Sequence, residues 1–290
     1  MRARGPRVTD PAAGPGRLPA VRRARGYRLY GQDGRRYLDL WQQGGRAVLG
    51  HRAGRVTTVL KNVISSGLVA DLPSLYTRRL ERTLSTFFPA YPAFRIADSL
   101  GAGLELASRF LGRAVGVADV RDPLGGHAAV GGEAAAGGTP PAAPALGLWR
   151  PLCPFSLSPR VLLPRLPFAM AGAPIAVGFA GELPDGFPPS QDLSPVVVAG
   201  SLRALHDLAR YTSPEWLRDG LLDGAPGWEQ RGLYVLPRFP QDRYAAVFAA
   251  FLGEGVLLSP AYREPSILPS EASAGELEKM IGLFRRFPGE

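Results

Sequence analysis

The sequence predicts an α/β layered fold. Three observations carry it: short apolar or aromatic runs of strand composition, amphipathic runs at helical spacing, and their alternation along the chain, clearest after residue 228. The length agrees, since 290 residues with 46% hydrophobic content can bury a sizeable core in one or two domains.

Taken in order, Tyr27 to Trp41 holds two short aromatic-rich runs on either side of Asp33 and Gly34. Asp-Gly tolerates the positive φ of a tight turn, so a β-hairpin is predicted. Val56, Val59, Leu60 and Val63 then recur at helical spacing over residues 54–66, with Gly67 as a stop. Leu75, Leu80, Leu84 and Phe87 repeat the pattern over residues 74–88. Phe94 to Ala97 reads as a strand that passes through Asp98 and Ser99, an N-capped turn, into a helix over Leu104 to Leu111.

Gly, Ala and Pro fill 18 of the 23 positions of residues 125–147, which predicts a flexible linker or exposed insertion. Beyond it, the apolar runs Val161–Leu163, Ile175–Phe179 and Val196–Ala199 each suit a buried strand. Ser201 to Tyr211 suits a helix. The last part alternates a strand at Gly232–Leu236, a helix at Asp242–Leu252, a strand at Val256–Leu258 and a helix at Ser273–Phe287.

Charge is unevenly spread. The net charge is +9, and residues 1–28 hold eight arginines against one acid, Asp10. The basic character therefore belongs to an N-terminal segment, read as a disordered basic tail over residues 1–25 rather than a nucleic-acid surface. No apolar run approaches the ~18 residues that span a bilayer, so no membrane association and a cytoplasmic location are expected. One cysteine, Cys153, excludes an internal disulfide and a Cys-based zinc site. His51, His127 and His206 have no metal-ligand spacing, so no metal is expected.

Other candidate residues have structural readings. Ser99 lacks the G-x-S-x-G setting of a nucleophile and suits an N-cap. Gly101 and Gly103 lack the third glycine of a dinucleotide loop. His51 reads as a turn residue, His206 as a solvated helix residue beside Asp207, and Glu264 as a surface ion-pair partner. Trp41 and Trp228 suit a core or an interface.

Three segments resemble class III, PLP-dependent aminotransferases, in particular the glutamate-1-semialdehyde aminomutase branch. The first runs from Arg25 and Gly26 through Asp33-Gly34, Tyr37-Leu38-Asp39 and Leu49-Gly50-His51 to Val56; Gly31 replaces the first Asp of the family's D-x-D-G core. The second runs from Phe94-Arg95-Ile96 through Ser99, Gly101, Glu105 and Arg109 to Leu111-Gly112-Arg113. It is similar to the strand, turn and helix that cradle the PLP phosphate. The third runs from Gly255 through Pro260 and Ser270 to Lys279.

The resemblance implies PLP-dependent transferase fold type I, with a small α/β domain formed by both chain ends (residues 26–93 and 228–290). Between them lies a reduced large domain, residues 94–227, carrying the insertion. It implies Ser99, Gly101 and Ala102 as a remnant phosphate turn, altered because Leu100 stands where glycine is usual and Ala102 where glutamate is.

The family's catalysis needs a lysine amine to hold PLP as an imine. This chain has two lysines, Lys61 and Lys279, both at positions that match surface sites of the family. The nearest counterpart of the lysine segment is Leu163 to Pro174, where Arg165 stands. A guanidinium stays protonated and cannot substitute. The strand carrying the family's pyridinium-pairing aspartate is not recognisable.

The expectation is thus an aminotransferase-like protein without catalysis, a pseudoenzyme with no catalytic residues. It would act as a binding or oligomerisation module, as a homodimer, with no cofactor or PLP held only noncovalently. Two alternatives are an aminotransferase or aminomutase with an atypical site, and a nucleic-acid-associated protein using the arginine tail.

Overall fold

A computed structural model describes residues 18, 20–51, 53–124, 144–153, 158–217 and 220–287. The chain opens with β1 (Val21–Arg25), β2 (Arg28–Gly31) and β3 (Arg36–Asp39). These form an antiparallel meander, with the predicted turn at Asp33-Gly34, where Gly34 has φ 82°. Asp33 Oδ1 accepts from Arg35 N at 3.0 Å and closes the turn. After a short 3-10 turn at Gln42–Gly45 come α1 (Gly54–Ser65) and α2 (Leu75–Phe87), as the spacing predicts.

The middle of the chain supplies β4 (Ala93–Ala97), α3 (Leu100–Leu111), β5 (Val120–Arg121), β6 (Leu146–Trp149), β7 (Val161–Pro164), β8 (Ile175–Phe179) and α4 (Pro195–Leu208). The five strands make one sheet in the order β4-β8-β7-β6-β5. β8 runs antiparallel to both neighbours; β5, β6 and β7 are mutually parallel and share the direction of β4. The carboxyl ends of four strands therefore lie along one edge.

The last part comprises β9 (Trp228–Arg231), β10 (Tyr234–Pro237), α5 (Gln241–Gly253), β11 (Val256–Leu257), β12 (Ser266–Ile267) and α6 (Ala274–Arg286). β11 pairs parallel with β3, so both chain ends build one sheet, β1-β2-β3-β11. A second, three-stranded sheet has the order β12-β10-β9. Leu40, Leu80, Leu84, Ile96, Leu162, Phe251 and Phe284 are fully buried in one continuous core that ties these layers together. Leu104, Ala107, Val177 and Phe179 form a smaller core between α3 and the five-stranded sheet.

Several expectations need correction. Residues 21–25 are not disordered tail but the edge strand β1, paired from Arg25 opposite Arg28 to Val21 opposite Gly31. Residues 1–17 and 19 lie outside the described residues. Val196–Ala199 is not a strand but the first turn of α4. Pro195 and Ser194, whose Oγ accepts from Val196 N at 3.4 Å, start that helix, and all four residues are buried. A helix buried on every side has the same unbroken apolar composition as a buried strand. Of the insertion, residues 125–143 lie outside the described residues, while Leu146 and Gly147 belong to β6. No described helix is long and apolar enough to cross a membrane.

Candidate functional site

In open α/β sheets, ligands bind beyond the carboxyl ends of parallel strands. Here those ends deliver Asp98 and Ser99 from β4, Asp122 from β5, Arg150 from β6 and Arg165 from β7. Trp149 pairs with Pro164, so Arg150 and Arg165 leave adjacent strands side by side.

The turn at Gln42–Gly45 faces them. Its four residues all have positive φ: 45°, 48°, 65° and 103°. For the two glutamines this costs on the order of 1 kcal/mol each, so the surroundings must hold the turn. Buried Asp39 does so. Its Oδ1 accepts from Trp41 N and Gln42 N, both at 2.9 Å, and its Oδ2 meets His51 Nε2 at 2.8 Å. The Gln42 side chain donates to Ile267 O at 3.0 Å.

The turn aims the Gly44 carbonyl at the sheet edge. Arg165 Nη1 donates to it at 2.8 Å and Arg150 Nη1 at 3.3 Å. A Cβ on Gly44 would stand 2.1 Å from Arg165 Nη1, so a side chain there must displace the guanidinium, and φ 65° itself favours glycine.

The two guanidiniums are held differently. Arg150 is 3% exposed, and its Nε and Nη2 fork onto Asp122 Oδ2 at 3.0 and 2.6 Å. Burial pulls its pKa down, and the Asp122 hydrogen bonds and charge more than reverse this. Arg165 has only a longer ion pair, 3.7 Å to Glu264. Burial, the Arg150 charge and Arg46 hold its pKa below the usual guanidinium value. Three cations thus meet two carboxylates. The Cys153 thiol is nearby in sequence, but burial pushes its pKa up to about 11, which leaves it protonated and a poor nucleophile.

The residues singled out from sequence lie as follows. Ser99 is the N-cap, its Oγ accepting from Ala102 N at 3.3 Å, and α3 begins at Leu100, earlier than its spacing suggested. A Cβ on Gly101 would meet only Ser99 Oγ, at 4.0 Å, and Ala102 packs against the smaller core. Strand β8 separates this turn from Arg165, a width of roughly 10 Å. Lys61 is exposed on α1; Lys279, on α6, lies 3.3 Å from Glu254. His51 lies not in a turn but just after one, in an isolated antiparallel bridge to Gly26, and its ring is fixed by Asp39. Trp228 is buried in the main core, and Trp41, partly buried, packs against it.

Sequence reasoning missed Arg150, Asp122 and Gly44. The available signal was positional: each of the two charged residues directly follows a short strand, as Arg165 does.

No protein-family model matches the chain. A protein of Treponema pallidum described as uncharacterized is 28% identical over 303 residues, which cover 88% of this chain and 90% of that one. A glutamate-1-semialdehyde 2,1-aminomutase of Syntrophus aciditrophicus is 30% identical over 97 residues, 32% of this chain and 22% of the aminomutase. Among solved structures, an omega-transaminase from Sphaerobacter thermophilus superposes with TM-score 0.65 at 16% identity, over 92% of this chain and 90% of that chain. The ornithine aminotransferase of Plasmodium yoelii gives TM-score 0.68 at 12% identity, over 92% of each chain. A Pseudomonas aeruginosa glutamate-1-semialdehyde aminomutase in complex with PMP gives 0.62 at 15% identity, over 92% and 86%. All three are class III aminotransferases by fold, and the resemblance seen in the sequence stands at this level.

Proposed function

We propose that this chain, which has the PLP-dependent transferase fold type I of the class III aminotransferases, acts as a non-catalytic binding or oligomerisation module. One observation carries the reading. The segment that resembles the family's lysine segment presents Arg165, and its guanidinium is committed to the Gly44 carbonyl and Glu264. The residues at this edge do not fit a covalently held PLP. A guanidinium does not form the imine, and both lysines of the chain are exposed on helices, Lys61 on α1 and Lys279 on α6 beside Glu254. The Ser99–Ala102 turn adds little, because Ser99 already occupies the Ala102 amide.

The test is direct. The purified chain is mixed with PLP, scanned for imine absorbance, reduced with borohydride and mapped by peptide mass. The expected result is no saturable, stoichiometric label on either lysine. One lysine labelled to completion would establish the rival reading, a transferase with an atypical site. A homodimer is part of the proposal, because a module without chemistry acts through what it binds. Sedimentation that finds only monomer over a wide concentration range would remove it.

A further inference from the structure

A cavity of about 200 Å³ lies beside the arginine cluster, between the first half of α1 and the segment that follows β7. Its walls are mostly apolar: Leu49, Val56, Leu60, Pro167, Phe168 and Met170. Its polar lining residues are Arg46, His51 and Thr57. Small-molecule sites have this composition, an apolar lining with a few polar groups that fix orientation.

Arg46 is the anomaly. It is partly buried, and among the described residues its guanidinium has no hydrogen-bond acceptor within 3.5 Å and no carboxylate within 4.0 Å. Arg46 instead adds to the positive field at Arg165, whose pKa it helps to lower. Of the three guanidiniums gathered here, Arg150 has Asp122 and Arg165 has Glu264; Arg46 has none. His51 supplies no counter-charge, since its ring is turned to Asp39. The start of α1 adds to the same field. Its N-cap is Ala53, which has no capping oxygen, and its first turn carries no acid. A positive charge held in a partly desolvated, apolar-walled cavity calls for an anion.

The walls and the volume narrow the anion further. A volume of about 200 Å³ lies below the roughly 300–1,000 Å³ of drug-sized ligand sites, which favours a small anion. The tail must be apolar to sit among Val56, Leu60 and Phe168. We propose that this cavity binds a small apolar carboxylate, its head on Arg46 and its branched or aromatic tail against α1 and Phe168. The site uses neither lysine and does not depend on the fate of PLP.

The probes are 3-methylbutanoate and its uncharged analogue 3-methyl-1-butanol, titrated into the full chain without PLP and followed by calorimetry and ligand-observed NMR. The carboxylate is expected to bind and the alcohol to bind at least about tenfold more weakly. Arg46→Met should weaken the carboxylate by a similar factor, whereas Arg46→Lys should retain most of the binding. Thr57→Trp, which fills the cavity from α1, should abolish binding with Arg46 intact; thermal melts confirm that each variant is folded. Failure of the carboxylate to bind the folded chain at millimolar concentration overturns the proposal. So does equal binding to the wild type and Arg46→Met. Because the borohydride experiment reads lysines and this one reads Arg46, either proposal can fail without the other.

Discussion

Arg150 and Arg165 emerge from neighbouring strands and donate to the same carbonyl, that of Gly44, at 3.3 and 2.8 Å. They are nevertheless unequal. Arg150 neutralises Asp122, whose side chain is 19% exposed, whereas Arg165 is a cation placed against two others. Arg150→Met should therefore cost about 3 kcal/mol or more, because it strands a largely buried carboxylate. Arg165→Met should cost about 1 kcal/mol or less, since the Gly44 carbonyl keeps Arg150 and a repulsion is relieved. Denaturant unfolding of the two variants measures the difference. Equal losses would mean that the two arginines are interchangeable parts of one brace.

The N-terminus of α6 predicts a pH dependence. Glu276 accepts from Arg28 Nε and Nη2 at 2.9 and 2.6 Å, and from Ser273 N at 2.9 Å in a capping box. The Arg28 hydrogen bonds, only partly opposed by burial, lower its pKa from 4.5 to about 2. A carboxylate whose folded pKa is depressed stabilises the fold above its unfolded pKa. That contribution is fully present above about pH 4.5 and fades as pH falls towards 2. It amounts to about 1–2 kcal/mol once screening by solvent at the rim is allowed for. Arg28→Met should flatten the stability profile in this window, and an unchanged slope would assign the acid lability elsewhere.

How much was legible follows from where each feature is encoded. The hairpin at Asp33-Gly34 and the N-cap at Ser99 were readable because a few adjacent residues fix them. α4 was misread because Val196 to Ala199 are β-branched or small and buried all round, so neither periodicity nor propensity separated helix from strand. The turn at Gln42–Gly45 was not readable at all. Nothing in Gln42 or Gln43 favours positive φ; Asp39, Ile267 and the two arginines impose it from elsewhere in the chain. The lysine count was plain in the sequence. That Arg165 is tied to Gly44, 121 residues away, required the fold.

Gly44 offers a sharper test of that turn. Gly44→Ala places a methyl group at φ 65° and within 2.1 Å of Arg165 Nη1. The strain and the displaced guanidinium together should cost about 2 kcal/mol or more. In the Arg165→Met background the steric part should shrink, so the double variant should lose less than the sum of the two single losses. Strict additivity in a double-mutant cycle would show that the two residues are not in contact.

Gly200 connects packing in α4 to the cavity beside α1. A Cβ there would stand 2.4 Å from Phe168 Cζ and 3.0 Å from Leu60 Cδ2, both residues that line the cavity. Phe168 lies against the bare backbone of α4, and that contact sets the position of its ring. Gly200→Ala gains helix propensity worth about 1 kcal/mol, but must push the ring off the helix. Overpacking of this kind typically costs about 1–3 kcal/mol, so the net effect should be neutral to destabilising. Phe168 also lines the cavity, so a ring displaced by the new methyl should crowd it, and 3-methylbutanoate should bind more weakly to Gly200→Ala than to the wild type. Phe168→Leu should restore space in the Gly200→Ala background and recover stability relative to Gly200→Ala alone. Recovery of stability without any change in ligand binding would place Phe168 in the core but outside the ligand's reach.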